Sequence, residues 1–452
     1  MNLTAAHSTG VWITIVRRLG LSRSIIAPAE RVTNLRWGIA VLVALGILIV
    51  SFDWVALAVS GPALHAEFGI DDIGMGYLFS IFGWAYAIAQ IPFGVLLDRF
   101  GVMPTGRVWS ICWGLIGLAT TLAGSFAAFL GLRVALGIAQ APAYPVSAKA
   151  IGYWFPRRER GMATAFFDAA SKIAIGFGIP LMVWLVTAHG WRAAFTLTGA
   201  LGVVYSLLFF VMYKDPTQFP ALTHAEKQHL GTGGAQAEGA ADPAVNILAL
   251  KQVWALTIGF FAYSFAFYLL LTWMPTFFFR TYGMRAIYAN AYATIPWLIS
   301  ALAALFVGGA VIDGLVSRGE DETRVRKTVL VIGMLLGLAV AAATWMQGAF
   351  GAVIVMCVAL AGLGMSGPVV WSLPALIAPR GTAGRVAAMM NCGGAFGAIV
   401  APIAAGYVAS ATGGFQVVFY MTTLVMLIGV AGFTFFLGPI APADGTAPGL
   451  TI

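Results

Sequence analysis

Charge is what this chain has least of: Asp, Glu, Lys and Arg make up 9% of its 452 residues, against roughly a quarter in an ordinary soluble domain. That shortage excludes a water-coated globule of this size. Cysteine is nearly absent too. Cys112, Cys357 and Cys392 lie far apart in apolar runs, so no disulfide framework is expected. The five histidines, His7, His65, His189, His224 and His229, fall outside those runs. This argues against a histidine proton relay or a buried metal site. No catalytic constellation is evident and no soluble domain is there to hold one, so neither an enzyme nor a resident cofactor is expected.

What the chain does have is hydrocarbon. Hydrophobic residues make up 60% of it, in repeated runs long enough to cross a bilayer. We read twelve spans, among them 36–60, 74–97, 107–125, 129–151, 161–187 and 328–345, the last being 415–437. The expected fold class is an all-α membrane protein whose twelve transmembrane helices form two six-helix pseudo-symmetric bundles. The expected division is a basic leader 1–35, an N-terminal bundle 36–213, a linker 214–250, a C-terminal bundle 251–438 and a tail 439–452. Basic loops stay in the cytoplasm. With the N-terminus inside, 20 of the 25 Lys and Arg residues fall on the cytoplasmic side, so both termini are expected there. The net charge of +8 is mostly this bias and gives no reason to invoke nucleic acid. The leader lacks a signal-peptide pattern. In the linker, Thr223-x-x-Glu226 reads as a capping box, followed by a Gly/Ala-rich stretch, 231–242. The halves echo one another, with Gly94-x-x-x-Asp98 ending the second span and Gly309-x-x-x-Asp313 ending the eighth.

The stretch Gly94-Val-Leu-Leu-Asp98-Arg99-Phe-Gly101, with Arg107 beyond it, resembles the loop motif of the major facilitator superfamily. The resemblance covers nearly the whole chain. It implies that the glycines allow close helix approach while the acid and bases latch the cytoplasmic side. Within the superfamily the chain looks most like the anion:cation symporter branch. That likeness rests on Trp84-Ala-Tyr86, Gln90-Ile-Pro92, the run Arg133 to Pro142, Trp154-Phe-Pro156, Gly190-Trp191-Arg192, Leu271-Thr272-Trp273-Met-Pro275 and Asn391. It implies import of an organic anion with protons across a bacterial inner membrane, with a small-molecule anion, protons and lipid as partners and a monomer as the working unit.

Four ionisable residues lie inside spans, Asp53, Arg133, Asp168 and Lys172, and such groups mark functional sites by default. Helix-rise counting puts Asp53 and Arg133 at matching depth, roughly 10 Å below the outer surface. Arg133 keeps its charge and carries a planar fork suited to a carboxylate. It therefore reads as a substrate anchor, or else as the fixed partner of Asp53. Asp53 reads as the proton carrier, since burial and a neighbouring arginine pull its proton affinity in opposite directions. Lys172 sits one turn from Asp168 and has two readings, a second anion anchor or the neutralising half of a buried pair. Lys149 is expected to snorkel. Tyr86, Gln140, Tyr268, Thr272, Trp371, Ser372 and Asn391 are candidates to line a cavity between the halves, with Ser171 added by family position. Gly393 and Gly397 read as packing positions.

Two departures from the branch bear on mechanism. Trp54 follows Asp53 where many members have Arg, and Gln140 stands where sugar-acid members often have Glu. An uncoupled anion exchanger or facilitator is therefore the alternative within transport. A transporter-like membrane sensor is the alternative of another class, although the tail after Leu437 is short for a signalling domain.

Overall fold

A computed structural model describes residues 34–69, 72–236 and 246–442. Most of the expected leader, part of the Gly/Ala-rich linker and most of the tail lie outside the described residues. The described chain is helical throughout, as hydrocarbon demands, because a spanning segment must satisfy every backbone N–H and C=O within itself.

Twelve long helices follow in order: α1 Leu35–Phe68, α2 Asp72–Phe100, α3 Val102–Thr120, α4 Phe126–Trp154, α5 Arg160–His189, α6 Trp191–Met212, α7 Lys251–Tyr282, α8 Tyr288–Ser317, α9 Glu322–Trp345, α10 Ala349–Ile377, α11 Ala383–Thr412 and α12 Gln416–Phe436. Eleven are long and apolar enough to cross a membrane by composition alone. The remaining one, α3, carries Arg107 in its first turns. The boundaries differ from expectation where caps rather than hydropathy set them. Asp321 accepts from the Arg324 N–H and starts α9 six residues before 328, while α1 runs on to a left-handed Gly69. The fourth span is broken after Gln140 and resumes at Ala143, because Pro142 lacks the N–H that would continue the ladder. In α8 the segment Ala304–Val311 is wound as a π-helix.

The two six-helix bundles use the same internal packing, α1 on α5 and α3 on α6 in one, α7 on α11 and α9 on α12 in the other. They meet along α2 against α11 and α5 against α8. Gly393 and Gly397 sit where a Cβ would press on the Thr257 and Phe261 carbonyls of α7, the packing role expected of them. The outward faces stay apolar, with Ile88, Phe177, Leu207, Phe350 and Phe435 exposed. Between the bundles, the short helix His224–Thr232 starts on Thr223, whose hydroxyl accepts from the Glu226 N–H. The Glu226 carboxylate lies 3.9 Å from Arg36.

Candidate functional site

The bundles are closed against one another at one face by two carboxylates. Asp98, at the end of α2, accepts from the backbone N–H groups of Gly384 (2.8 Å) and Arg385 (2.9 Å) in the first turn of α11. Asp313, at the end of α8, accepts from those of Gly161 (2.9 Å) and Met162 (2.7 Å) in the first turn of α5. Free N–H groups and the positive end of the helix dipole make a helix N-terminus a natural seat for an anion. A side chain at Gly161 or Gly384 would run into the carboxylate. Asp98 also pairs with Lys149 at 2.6 Å and Arg385 at 3.3 Å.

Two expectations are corrected here. Lys149 does not snorkel: it is 2% exposed and bonded to Asp98 and the Leu97 carbonyl, because the buried carboxylate holds it in. The loop motif's own bases are not the partners of its acid. Arg99 is exposed over the Phe100 ring, and Arg107 donates to the Phe210 and Tyr213 carbonyls at the end of α6. Gly94 does let α2 approach α11 closely, facing Ala388 and Arg385, and Gly101 turns the chain into α3 at φ +83°. Further ties across the same face run from Arg157 to Glu322 at 3.0 Å and from Arg160 to the Ala375 carbonyl at 3.1 Å.

Toward the other face the bundles part around a cavity of about 1120 Å³, which runs out between Pro62, Val183, Thr276 and Ile403. Asp53 and Arg133 stand in its wall, joined at 3.5 Å. The depth match therefore holds as a contact, although α1 overhangs and puts Asp53 fifteen residues, about 22 Å, below its own end. Arg133 is 1% exposed. Its second amino group donates to Thr120 at 3.0 Å and its fork lies over the Phe129 and Phe195 rings. The other Asp53 oxygen accepts from Thr198 at 3.3 Å. Gln140 donates to Asp53 at 3.4 Å and accepts from the Trp54 indole at 2.9 Å. Gln140 thus stands behind the cavity wall and connects the acid to a ring that faces it.

A second ion pair lines the same cavity. Lys172 bonds the Asp168 carboxylate at 2.6 Å, and both are essentially buried. Asp168 lies against α10 at Gly367, where an added Cβ would sit 2.6 Å from a carboxylate oxygen. Ser171 donates to the Asp168 carbonyl at 2.7 Å. Around the pair stand Tyr144, stacked on Trp371 at 4.9 Å, and Phe267, 5.6 Å from the Lys172 ammonium.

Of the remaining candidates, Tyr86 and Asn391 meet across the halves at 2.8 Å, and both line the cavity with Tyr268, Thr272 and Trp371. Thr272 returns its hydroxyl to the Tyr268 carbonyl. Ser372 is not part of the lining. One residue past Trp371, it is turned about 100° away and accepts from Arg326 of α9 at 3.3 Å. Sequence reasoning passed over Tyr144 and Tyr263, both in the lining. Tyr144 follows the Pro142 break, and Tyr263 belongs to a stripe with Phe260 and Phe267 at helical spacing; those were the available signals. Among the described residues no group of three or more His, Cys, Asp or Glu side chains is placed to hold a metal.

A family model described as "Major Facilitator Superfamily" matches residues 43–397. The chain is similar to an uncharacterised transporter of Bacillus subtilis, 34% identical over 91% of this chain and 96% of that one. It is also similar to a D-galactonate transporter of Escherichia coli O6:H1, 30% identical over 88% and 95%, and to a probable galactarate/D-glucarate transporter of B. subtilis, 29% identical over 92% and 94%. Among solved structures, a proton:xylose symporter superposes with a TM-score of 0.71 at 15% identity, covering 90% of this chain and 96% of the other.

Proposed function

The chain belongs to the Major Facilitator Superfamily and is a multi-pass membrane transporter rather than an enzyme, and we propose that it imports a small organic anion together with protons by alternating access. The observation that carries this reading is the Asp53–Arg133 pair, buried in the wall of a cavity that is open at one face and latched at the other. The latched face is the cytoplasmic one in this reading, because the basic loops gather there, and the membrane is a bacterial inner membrane.

Asp53 is the proton carrier. When it takes a proton from the open face, the Arg133 group facing it loses its counter-charge and turns its attraction to an incoming carboxylate. Aromatic walls from both halves, Trp54, Tyr86, Tyr144, Tyr268 and Trp371, suit the flat faces of a sugar acid or an aromatic acid. The similar transporters are named for galactonate and for galactarate/glucarate, which makes sugar acids the first class to try. The test is uptake of D-galactonate and D-galactarate into proteoliposomes under an inward pH gradient, preceded by a thermal-shift screen, since a ligand that binds only the folded state raises its melting temperature. Accumulation above equilibrium supports the proposal. Equal uptake with and without the gradient would instead favour the uncoupled exchanger, the reading that Gln140 supports by placing an untitratable amide beside Asp53. Binding with no uptake would favour a sensor.

A further inference from the structure

Resting on the symport reading above, we propose that Asp168, Lys172 and Tyr263 form a second anion-and-proton site, in which the substrate displaces Asp168 from Lys172 and Asp168 takes up a proton. Three observations lead there. The pair lines the cavity that must hold a negative substrate. Among the described residues its cation has one counter-charge: Lys172 donates to the Asp168 carboxylate at 2.6 Å and to the Asp168 carbonyl at 3.4 Å. The Tyr263 hydroxyl, on α7 across the cavity, is buried without a hydrogen-bond partner among the described residues and lies within the field of Asp168.

A buried phenol with nothing to donate to is a cost that a bound oxygen removes. An arriving carboxylate meets both needs, taking the Lys172 ammonium and accepting from Tyr263. Asp168 is then left beside groups that offer it no second cation. The ionisable groups facing it are Lys172 on its own helix, Tyr144 on α4 and Tyr263 on α7, while α10 presents Gly367 and Trp371. A carboxylate stripped of its counter-ion in such a place neutralises itself by binding a proton. The exchange balances: the Lys172–Asp168 hydrogen bond breaks, one proton from the open face joins Asp168, and one substrate charge pairs with Lys172. When the acid leaves at the other face, the proton follows and the pair re-forms. With Arg133 as the first anchor, a sugar diacid engages both cations, and each end brings its own proton.

The experiment counts protons per acid in proteoliposomes, with D-galactarate and D-galactonate as probes. Asp168→Asn is expected to lower the D-galactarate count by one while transport continues, and an unchanged count overturns the proposal alone. A wild-type count of zero overturns the symport reading and this one with it. Because Asp168→Asn leaves a buried lysine unpaired and risks misfolding, Tyr263→Phe supplies the second arm. It keeps the pair and the ring and removes one hydroxyl. Roughly tenfold weaker binding of D-galactarate is expected for a lost hydrogen bond to a charged group; unchanged affinity overturns the site.

Discussion

Asp313 does for the first turn of α5 what Asp98 does for the first turn of α11: each carboxylate accepts two successive backbone N–H groups across the boundary between the bundles, at 2.7–2.9 Å. The two latches are related by the repeat that also matches Gly94 to Gly309, and α11 and α5 both present glycine at the contact.

Asp98→Asn and Asp313→Asn should each loosen this face. Asparagine keeps an acceptor but loses the charge that the helix terminus favours, and a hydrogen bond to a charged group contributes about 1.5–3 kcal/mol. That shifts the balance between the two access states by roughly ten- to hundredfold. Distances between spin labels at positions 158 and 320, on opposite bundles at the latched face, should lengthen in both variants. An unaltered distance distribution would show that other contacts hold the face shut.

Asp53→Asn should abolish uphill uptake of D-galactonate, whose single carboxylate engages the Arg133 site alone, while leaving its counterflow measurable. Asparagine occupies the same space among Thr198, Gln140 and Arg133 but carries no proton across. Gradient-driven accumulation at the wild-type level in this variant would take the carrier role away from Asp53.

Arg133→Lys keeps the charge and discards the fork. One ammonium cannot reproduce separate bonds to Asp53 and Thr120 with stacking on Phe129 and Phe195. Substrate affinity should fall by about 2 to 5 kcal/mol, or roughly 30-fold to several thousandfold. Isothermal titration at fixed pH checks this, and an affinity within a factor of two of wild type would leave Arg133 as a structural charge.

Gly367→Ala tests how tightly the second pair is seated. The added methyl would sit 2.6 to 2.8 Å from the atoms of the Asp168 carboxylate, so the carboxylate or α10 must move, at a cost of about 1–3 kcal/mol. In the background Asp168→Ala with Lys172→Met the same substitution should cost clearly less, because the obstructing atoms are gone. Equal losses of thermal stability in the two backgrounds would mean that the strain lies elsewhere.

The spans were legible because the need to bury backbone polar groups in hydrocarbon writes itself as apolar length. Their ends were less so: α9 starts at Glu322, on charged residues that a hydropathy window discards but an Asp321 cap retains. Asp168 and Lys172 were readable as neighbours from their four-residue spacing, and Asp53 with Arg133 from a count of helical rise. The partners of Asp98 were not. Gly384 and Arg385 lie nearly 290 residues away on the other bundle, and which helices meet is decided by packing that no local pattern reports. Lys149 was misplaced for the same reason. A lone lysine near a span end looks solvated until the carboxylate opposite it is known.

The π-wound stretch Ala304–Val311 has a consequence for the register of α8. Every residue beyond it is rotated relative to an uninterrupted α-helix, and Asp313 comes two residues after it. Deleting one residue there lets the stretch relax into ordinary α-winding and keeps the carboxylate near its present direction, because the wide turn already holds the extra residue. The two latches share a four-residue Gly-to-Asp spacing, but α2 reaches its partner as α-helix throughout and α8 does not. The repeats of this chain are therefore not interchangeable in length: a single-residue deletion in α8 is absorbed by unwinding the bulge, whereas in α2, with no such slack, it swings Asp98 by about the 100° that separates neighbours on a helix.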